Sequence, residues 1–274
     1  MTFHDETINW AYHTIPETGL GNRQLYWPRG KILGGSSSIN ALVYHHGQPA
    51  DYDDWAAAGN PGWDYHAIKP VYDGFEDIIR AETQPLRRDK LTVSDVADEY
   101  HPLKSHFFAM ADEMGLHSET ACKLDGEGIY PYFITTRKGQ RCSSSKAFLT
   151  SARARPNLTI MTESMVTRIE TAEGRAVAVH VMQKRKTIRL AASCEIILSA
   201  GAVNSPQILQ LSGIGPGAIS QRCGIDVVLD QPNVGLHLSD HLGINYYQKA
   251  NQPTLNAILG SWPRVGLAGL QYLL

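Results

Sequence analysis

Arg29-Gly30-Lys31-Ile32-Leu33-Gly34-Gly35-Ser36-Ser37-Ser38-Ile39-Asn40 is the stretch on which the reading of this chain turns. Gly30, Gly34 and Gly35 have no Cβ, so the backbone can take positive φ and come within contact distance of a ring or a pyrophosphate. The serines are good N-cap residues, and Ile39-Asn40-Ala41-Leu42-Val43 can continue from them as a helix or a buried segment. A helix start of that kind points free N–H groups and a positive dipole end at a bound anion. The pattern predicts a cradle for a flat, anionic cofactor. Two readings compete with it: a Gly/Ser-rich loop that joins two elements, and a phosphate loop of the nucleotide-hydrolase type. The latter fails on order, because that motif ends in Gly-Lys-Ser/Thr whereas Lys31 precedes the second glycine pair.

The chain continues with Tyr44, Gly47, Ala50-Asp51-Tyr52-Asp53-Asp54-Trp55 and Gly59-Asn60-Pro61-Gly62-Trp63. About 170 residues beyond the cradle comes Gly201-Ala202-Val203-Asn204-Ser205-Pro206-Gln207-Ile208-Leu209-Gln210-Leu211-Ser212-Gly213-Ile214-Gly215. In order and spacing these two runs resemble the two signatures of the glucose-methanol-choline (GMC) flavin oxidoreductases. Arg155-Pro156-Asn157-Leu158-Thr159 and Pro232-Asn233-Val234-Gly235 resemble the same family, so the resemblance covers nearly all of the chain. It points to the choline dehydrogenase-like and related alcohol-oxidising branches.

The resemblance implies an α/β fold: a partial FAD-binding, Rossmann-like domain of the glutathione-reductase type with an inserted substrate-side α+β region. On that reading residues 1–85 and 141–243 are FAD-binding parts, 86–140 the substrate-side insertion, and 244–274 the start of a substrate domain. The implied reaction oxidises a primary alcohol to an aldehyde, with hydride passing to FAD and oxygen or a quinone-type acceptor reoxidising it. Cofactor contact falls to Gly30, Ile32, Gly34, Gly35, Ser36, Asn40, Ala41, Leu42 and Val43, then Val166 beside the adenine, and Ala200 and Gly201. Some members attach FAD covalently through a histidine at the position of Ile39, which has no nucleophile, so non-covalent FAD is expected.

The family's Gly-x-Gly-x-x-Gly strand-turn-helix has no match before Arg29, since Gly19-Leu20-Gly21 lacks the third glycine. The family's catalytic histidine lies in a region beyond Leu274, so no residue of this chain is expected to be catalytic. The expectation is an incomplete family member whose isolated chain is inactive. An inactive half-enzyme and a nucleotide-binding α/β module without redox activity stand as alternatives.

Composition narrows the class without naming it. With 43% hydrophobic and 19% charged residues among 274, the chain can bury a substantial core. A net charge of −2 offers no electrostatic case for nucleic acid or an anionic membrane. Cys122, Cys142, Cys194 and Cys223 contain no close pair, which argues against zinc or a dithiol motif and for free thiols in a reducing compartment. Met1-Thr2-Phe3-His4-Asp5-Glu6 carries no secretory pattern, so a cytoplasmic location is expected, with peripheral membrane association open. Leu255 to Leu274 is the most apolar stretch, but Asn256, Pro263 and Arg264 interrupt it, favouring a buried or lid-like helical segment over a span.

Leu103, Phe107, Met110, Ala111 and Met114 predict a helix with Gly115 as its C-terminal glycine. Gly128 to Thr136 is strand-prone, as are residues 158–161 and 166–169. Residues 176–182 and 187–190 predict a hairpin about Gln183-Lys184-Arg185-Lys186, a solvated basic turn rather than a phosphate site. Glu195-Ile196-Ile197-Leu198-Ser199-Ala200 reads as a central parallel strand, followed by a helix with Ser205 as N-cap and Pro206 at its first position. Gly213-Ile214-Gly215-Pro216-Gly217-Ala218 fits the dinucleotide pattern but follows a helix and contains Pro216, so it is rejected. His237, Asp240 and His241 invite a metal reading, set below a structural or cofactor-edge role because no glutamate base accompanies them. His45 and His46 are adjacent and would point apart, which makes a poor chelating pair.

Overall fold

Val93 and Phe133 are wholly buried and, with Cys122, centre the apolar core of a first unit, Met1–Leu158 together with Lys249–Leu274. The computed structural model describes residues 4–80, 84–87, 89–240, 243, 247 and 249–273. The chain begins with an antiparallel pair, β1 (Tyr12–His13) and β2 (Tyr26–Trp27). The core lies on a four-stranded sheet made of β3 (Val43–Tyr44), β4 (Glu76–Ile79), β5 (Leu91–Ser94) and β6 (Phe133–Ile134), in the order β3-β6-β5-β4. Only β4 and β5 run parallel.

Two helices connect β3 to β4. In α1 (Pro49–Ala57) the Asp51 carboxylate accepts the Gln48 amide at 2.8 Å, and in α2 (Tyr65–Phe75) the Asp64 carboxylate accepts the Ala67 amide at 3.0 Å. Both satisfy donors that a helix start leaves without partners. The helix expected over 103–114 is α3 (Lys104–Glu113), and Gly115 leaves it at φ 67°. The strand expected over 128–136 is paired continuously at β6 and again from Thr136, which opens the next strand; before β6 stand isolated bridges at Ile129 and Tyr132. Pro131 between them has no N–H to give to a ladder, which keeps that part from joining the sheet. Next, β7 (Thr136–Arg137) and β8 (Gln140–Arg141) form a hairpin whose two turn residues, Lys138 and Gly139, both take positive φ. One wide turn over Ser145–Leu149 then runs into α4 (Thr150–Ala152).

The second unit, Thr159–Gln248, is led by an antiparallel meander of β9 (Ser164–Ala172), β10 (Arg175–Gln183) and β11 (Lys186–Ala191). Lys184 and Arg185 make its two-residue turn at positive φ and are exposed, as a solvated basic turn should be. Beyond it come α5 (Gly201–Leu211), which packs on β9, a short parallel pair of β12 (Ile214–Gly215) and β13 (Leu229–Asp230), and α6 (Gly217–Arg222). The C-terminal apolar stretch forms α7 (Leu255–Leu259) and α8 (Trp262–Leu273) in the first unit, and no described helix is long and apolar enough to cross a membrane.

Two expected strands are absent from the structure. Residues 158–161 and 195–200 join no ladder among the described residues, and Ile197 is 79% exposed. A strand apolar on both faces needs neighbours along both edges, and no described strand pairs with either run. The helix after them starts at Gly201, five residues earlier than expected, so Pro206 sits inside it. The Ser205 hydroxyl accepts the Ala200 amide at 3.1 Å instead of capping a later start.

Ser212 ties α5 to β9. Its buried hydroxyl accepts the Ile169 amide at 2.7 Å and donates to the Ile208 carbonyl at 2.6 Å. Ser212→Ala strands a buried N–H and is expected to lower the unfolding free energy by about 2 kcal/mol. Urea titration checks this, and an unchanged midpoint would count against the tie.

Candidate cofactor site

The cradle is a loop held by its own backbone. Its centre is a 3-10 turn, Gly35–Ser38, entered through Gly34 at φ 90°. The helix expected beyond the serines is not there: Ile39 ends the turn, 2% exposed, Leu42 reverses the chain at φ 69°, and β3 comes next. Of residues 39–43 only Ile39 is buried, and the pairing of Val43 with Ile134 commits the end of the run to the sheet rather than to a helical repeat.

The glycines have different tasks. At Gly30 a Cβ would lie 2.2 Å from the Gly35 carbonyl oxygen, and at Gly34 it would lie 2.5 Å from the Ser38 hydroxyl. These two glycines let the loop close on itself, with the Gly30 amide donating to the Ser36 hydroxyl at 3.0 Å. Gly35 is different: it takes φ 54° and no atom lies within 4 Å of where a side chain would begin. Bare backbone facing open space is the surface a flat ring or a pyrophosphate can approach. Ile32 and Val43 are largely exposed on the same loop, so the residues present fit a flavin dinucleotide.

A second segment grips this loop, and the sequence pattern did not point to it. The Arg141 guanidinium donates to the Ser37 carbonyl at 3.1 Å, the Asn40 side-chain oxygen at 2.7 Å and the Asn40 carbonyl at 2.8 Å. The Ser144 amide donates to the Ser37 hydroxyl at 2.9 Å, and the Ser37 and Ser144 hydroxyls both reach the Gly34 carbonyl. The one signal that could have found Arg141 is Lys138-Gly139 between short extended runs, which marks a hairpin and so places its second strand beside another part of the chain.

Next to the cradle, His45 and His46 part company. His45 Nε2 meets the Tyr130 hydroxyl at 3.0 Å, while His46, 3% exposed, stacks on Tyr72 at 4.0 Å and sets Nε2 3.0 Å from the Glu76 carboxylate. Tyr44 donates its hydroxyl to the same carboxylate oxygen. Burial alone would push the Glu76 carboxyl up; the hydrogen bonds from His46 and Tyr44 outweigh it and hold the group below the ordinary glutamate range. Burial, with the Glu76 charge beside it, pushes the Tyr44 phenol up. Burial likewise raises the Cys122 thiol to about 11, so it stays protonated and inert.

In the second unit Ala200 precedes α5 and Gly201 opens it at φ 87°, again with nothing within 4 Å of a Cβ position. A cavity of about 520 Å³ lies alongside, lined by Ala202, Val203, Pro206, Gln207, Gln210 and residues 235–239. Gly235 at φ 86° lets the loop pass Gln210, where a Cβ would lie 2.6 Å from the amide nitrogen. Val166 is half-buried in β9 opposite Val181.

The rejected glycine run, residues 213–218, follows α5 directly, as expected, and itself forms β12 and the first residues of α6. It is closed for another reason: the Gly217 amide at the start of α6 donates to the Asp230 carboxylate at 2.8 Å, and the Asp226 carbonyl fills the space beside Gly213. The chain's own anion holds the place a phosphate would need. His237 takes φ 57° and His241 lies outside the described residues. Among the described residues no three His, Cys, Asp or Glu side chains are grouped to hold a metal.

Known proteins resemble this chain in sequence and fold. The sequence profile of GMC oxidoreductase matches residues 13–243. The alcohol dehydrogenase (acceptor) of Pseudomonas putida is 38% identical over 276 residues, 97% of this chain and 49% of that protein. The mitochondrial choline dehydrogenase of Homo sapiens is 38% identical over 256 residues, 91% of this chain and 42% of that protein. Pyridoxine 4-oxidase from Mesorbium loti superposes with a TM-score of 0.73 at 32% identity, over 82% of this chain and 45% of its own. An FAD-dependent oxidoreductase from Chaetomium thermophilum gives 0.74 at 27% identity, over 82% and 42%. The chain thus spans about half the length of the curated relatives it matches. A profile match over residues 13–243, together with a relative 38% identical along 97% of the sequence, leads to one conclusion: the chain belongs to the GMC oxidoreductase family.

Proposed function

We propose that this chain forms the FAD-cradling part of an oxidoreductase acting on the CH–OH group of a primary alcohol. FAD is the cofactor of the family, and the observation that carries the reading here is Gly35, whose left-handed backbone faces open space inside a loop otherwise closed by its own hydrogen bonds. Gly34, Gly35 and Ser36 meet the ring and pyrophosphate, with Gly30 closing the loop behind them and Ile32 beside it. Asn40, Ala41, Leu42 and Val43 line the ring. In the second unit Val166, Ala200 and Gly201 are assigned to cofactor contact as well, the first through its backbone. FAD, when bound, would supply the acceptor for the hydride of the carbinol carbon, and loss of the hydroxyl proton to a base would complete the aldehyde.

The donors around the cradle favour negative charge on a bound ring, a kind of contribution worth about 3 kcal/mol per well-placed donor. No residue of this chain is assigned as general base. His46 is committed to Glu76 and His45 to Tyr130, so the isolated chain is expected to bind FAD without oxidising alcohol. Residues 1–85 and 141–243 serve the cofactor, 86–140 the substrate side, and 244–274 begin a substrate domain. Oxygen or a quinone is the acceptor, and the four free cysteines suit a cytoplasmic location.

Ile39, apolar and buried at the attachment position, supports non-covalent FAD. Titration with FAD should give a bound flavin spectrum that alcohol does not bleach. Acid precipitation should then leave the pellet colourless and the flavin in the supernatant. A yellow pellet contradicts non-covalent binding, no bound spectrum at any FAD level supports a half-enzyme remnant, and ATP binding without flavin binding supports a redox-free nucleotide module.

A further inference from the structure

We infer that Arg141 is the positioning residue that fixes the cradle loop in its cofactor-receiving shape; this rests on the reading of Gly34 to Val43 as the FAD cradle. Arg141 stands at the end of a hairpin strand, outside both family signatures, and its guanidinium is spent on the cradle. It donates to the Ser37 carbonyl, the Asn40 carbonyl and the Asn40 side-chain oxygen. No carboxylate lies within ion-pair distance of it among the described residues.

The Asn40 side chain transmits the grip. Its oxygen accepts from Arg141 at 2.7 Å and from the Leu42 amide at 3.1 Å. Leu42 stands at φ 69°, a conformation that costs a non-glycine residue about 1–2 kcal/mol. The chain of bonds from Arg141 through Asn40 to Leu42 is what holds that reversal, and the reversal turns residues 40–43 from the 3-10 turn into β3. It also leaves the Asn40 Nδ2 as that amide's uncommitted donor among the described residues. A lysine carries the same charge but cannot make this forked set of bonds, because its single ammonium lacks the planar geometry.

The test uses the full 274-residue chain with Arg141→Lys and Arg141→Gln, read in two ways. Without FAD, hydrogen exchange at the Asn40 and Leu42 amides should accelerate by about tenfold in both variants, while Val93 and Phe133 in the core hold their protection. With FAD, the dissociation constant should rise by about tenfold in both, and the visible circular dichroism of the bound flavin should change. Unchanged exchange at Asn40 and Leu42 overturns the inference. Accelerated exchange with an unchanged dissociation constant overturns its link to the cofactor, as does loss of protection spread evenly through the core. If the unaltered chain binds no FAD, the cradle reading itself falls, and accelerated exchange in the variants then reports Arg141 as a fastener of the loop alone.

Discussion

Gly30→Ala is expected to lower the unfolding free energy by about 3 kcal/mol and to abolish tight FAD binding, because the added methyl has nowhere to go. It would lie 2.2 Å from the Gly35 carbonyl oxygen, 2.3 Å from its carbon and 2.7 Å from the Ser36 nitrogen, all backbone atoms that no rotamer change can move. Relief requires the 3-10 turn to lift away from the strand-like residues before it, which breaks the bond from the Gly30 amide to Ser36. Gly35→Ala makes the informative contrast. Its methyl meets open space, so the cost is only the left-handed backbone, about 1 kcal/mol, yet the methyl intrudes where the cofactor is to lie. Urea unfolding and FAD titration of both variants decide the matter. Gly30→Ala should fail in both assays and Gly35→Ala mainly in the second, whereas equal effects on stability would remove the distinction between a closing glycine and a receiving one.

Glu76→Ala is expected to cost roughly 3 kcal/mol, since it leaves the Tyr44 hydroxyl and the His46 ring without their shared acceptor in a site where Glu76 is 6% exposed. The acid dependence comes from the lowered carboxyl. A glutamate that titrates near 4.3 when unfolded and lower when folded binds more protons in the unfolded chain over that interval. Its stabilisation is therefore fully present above about pH 4.3 and is lost as the pH falls through the folded value. The unaltered chain should lose stability steeply over that acid window, and Glu76→Gln should lose less of it because glutamine has nothing to titrate. Denaturant midpoints from about pH 7 down to about pH 3 supply the comparison. Parallel curves would mean the carboxylate is not held by its two partners.

Sequence pattern reached the helices and the meander because their signals are local. The apolar positions from Leu103 to Met114 and the charged turn at Lys184 and Arg185 each specify an element within one or two turns of chain. The glycines from Gly30 to Gly35 single out that loop, but Gly30 and Gly34 serve close contacts, to Gly35 and Ser38, that no pattern states. Arg141 was hidden because its partners lie about a hundred positions earlier, and a lone arginine after a tight turn is chemically unremarked until the fold brings Asn40 to it. Pro206 misled in the opposite direction, since packing of α5 on β9 overrode its local preference for a first helical position. Residues 195–200 were misread as paired because residue type records what a segment would bury, not whether a neighbour is within reach.

That last segment bears on how the chain behaves in a tube. Ile196, Ile197 and Leu198 stand outside any ladder among the described residues, flanked by a single charge at Glu195. Short, β-prone, weakly charged and proline-free windows of this kind template intermolecular sheets when they are accessible. Turbidity of the purified chain should therefore rise with concentration, and a lysine in place of Ile197 should delay it by acting as a gatekeeper.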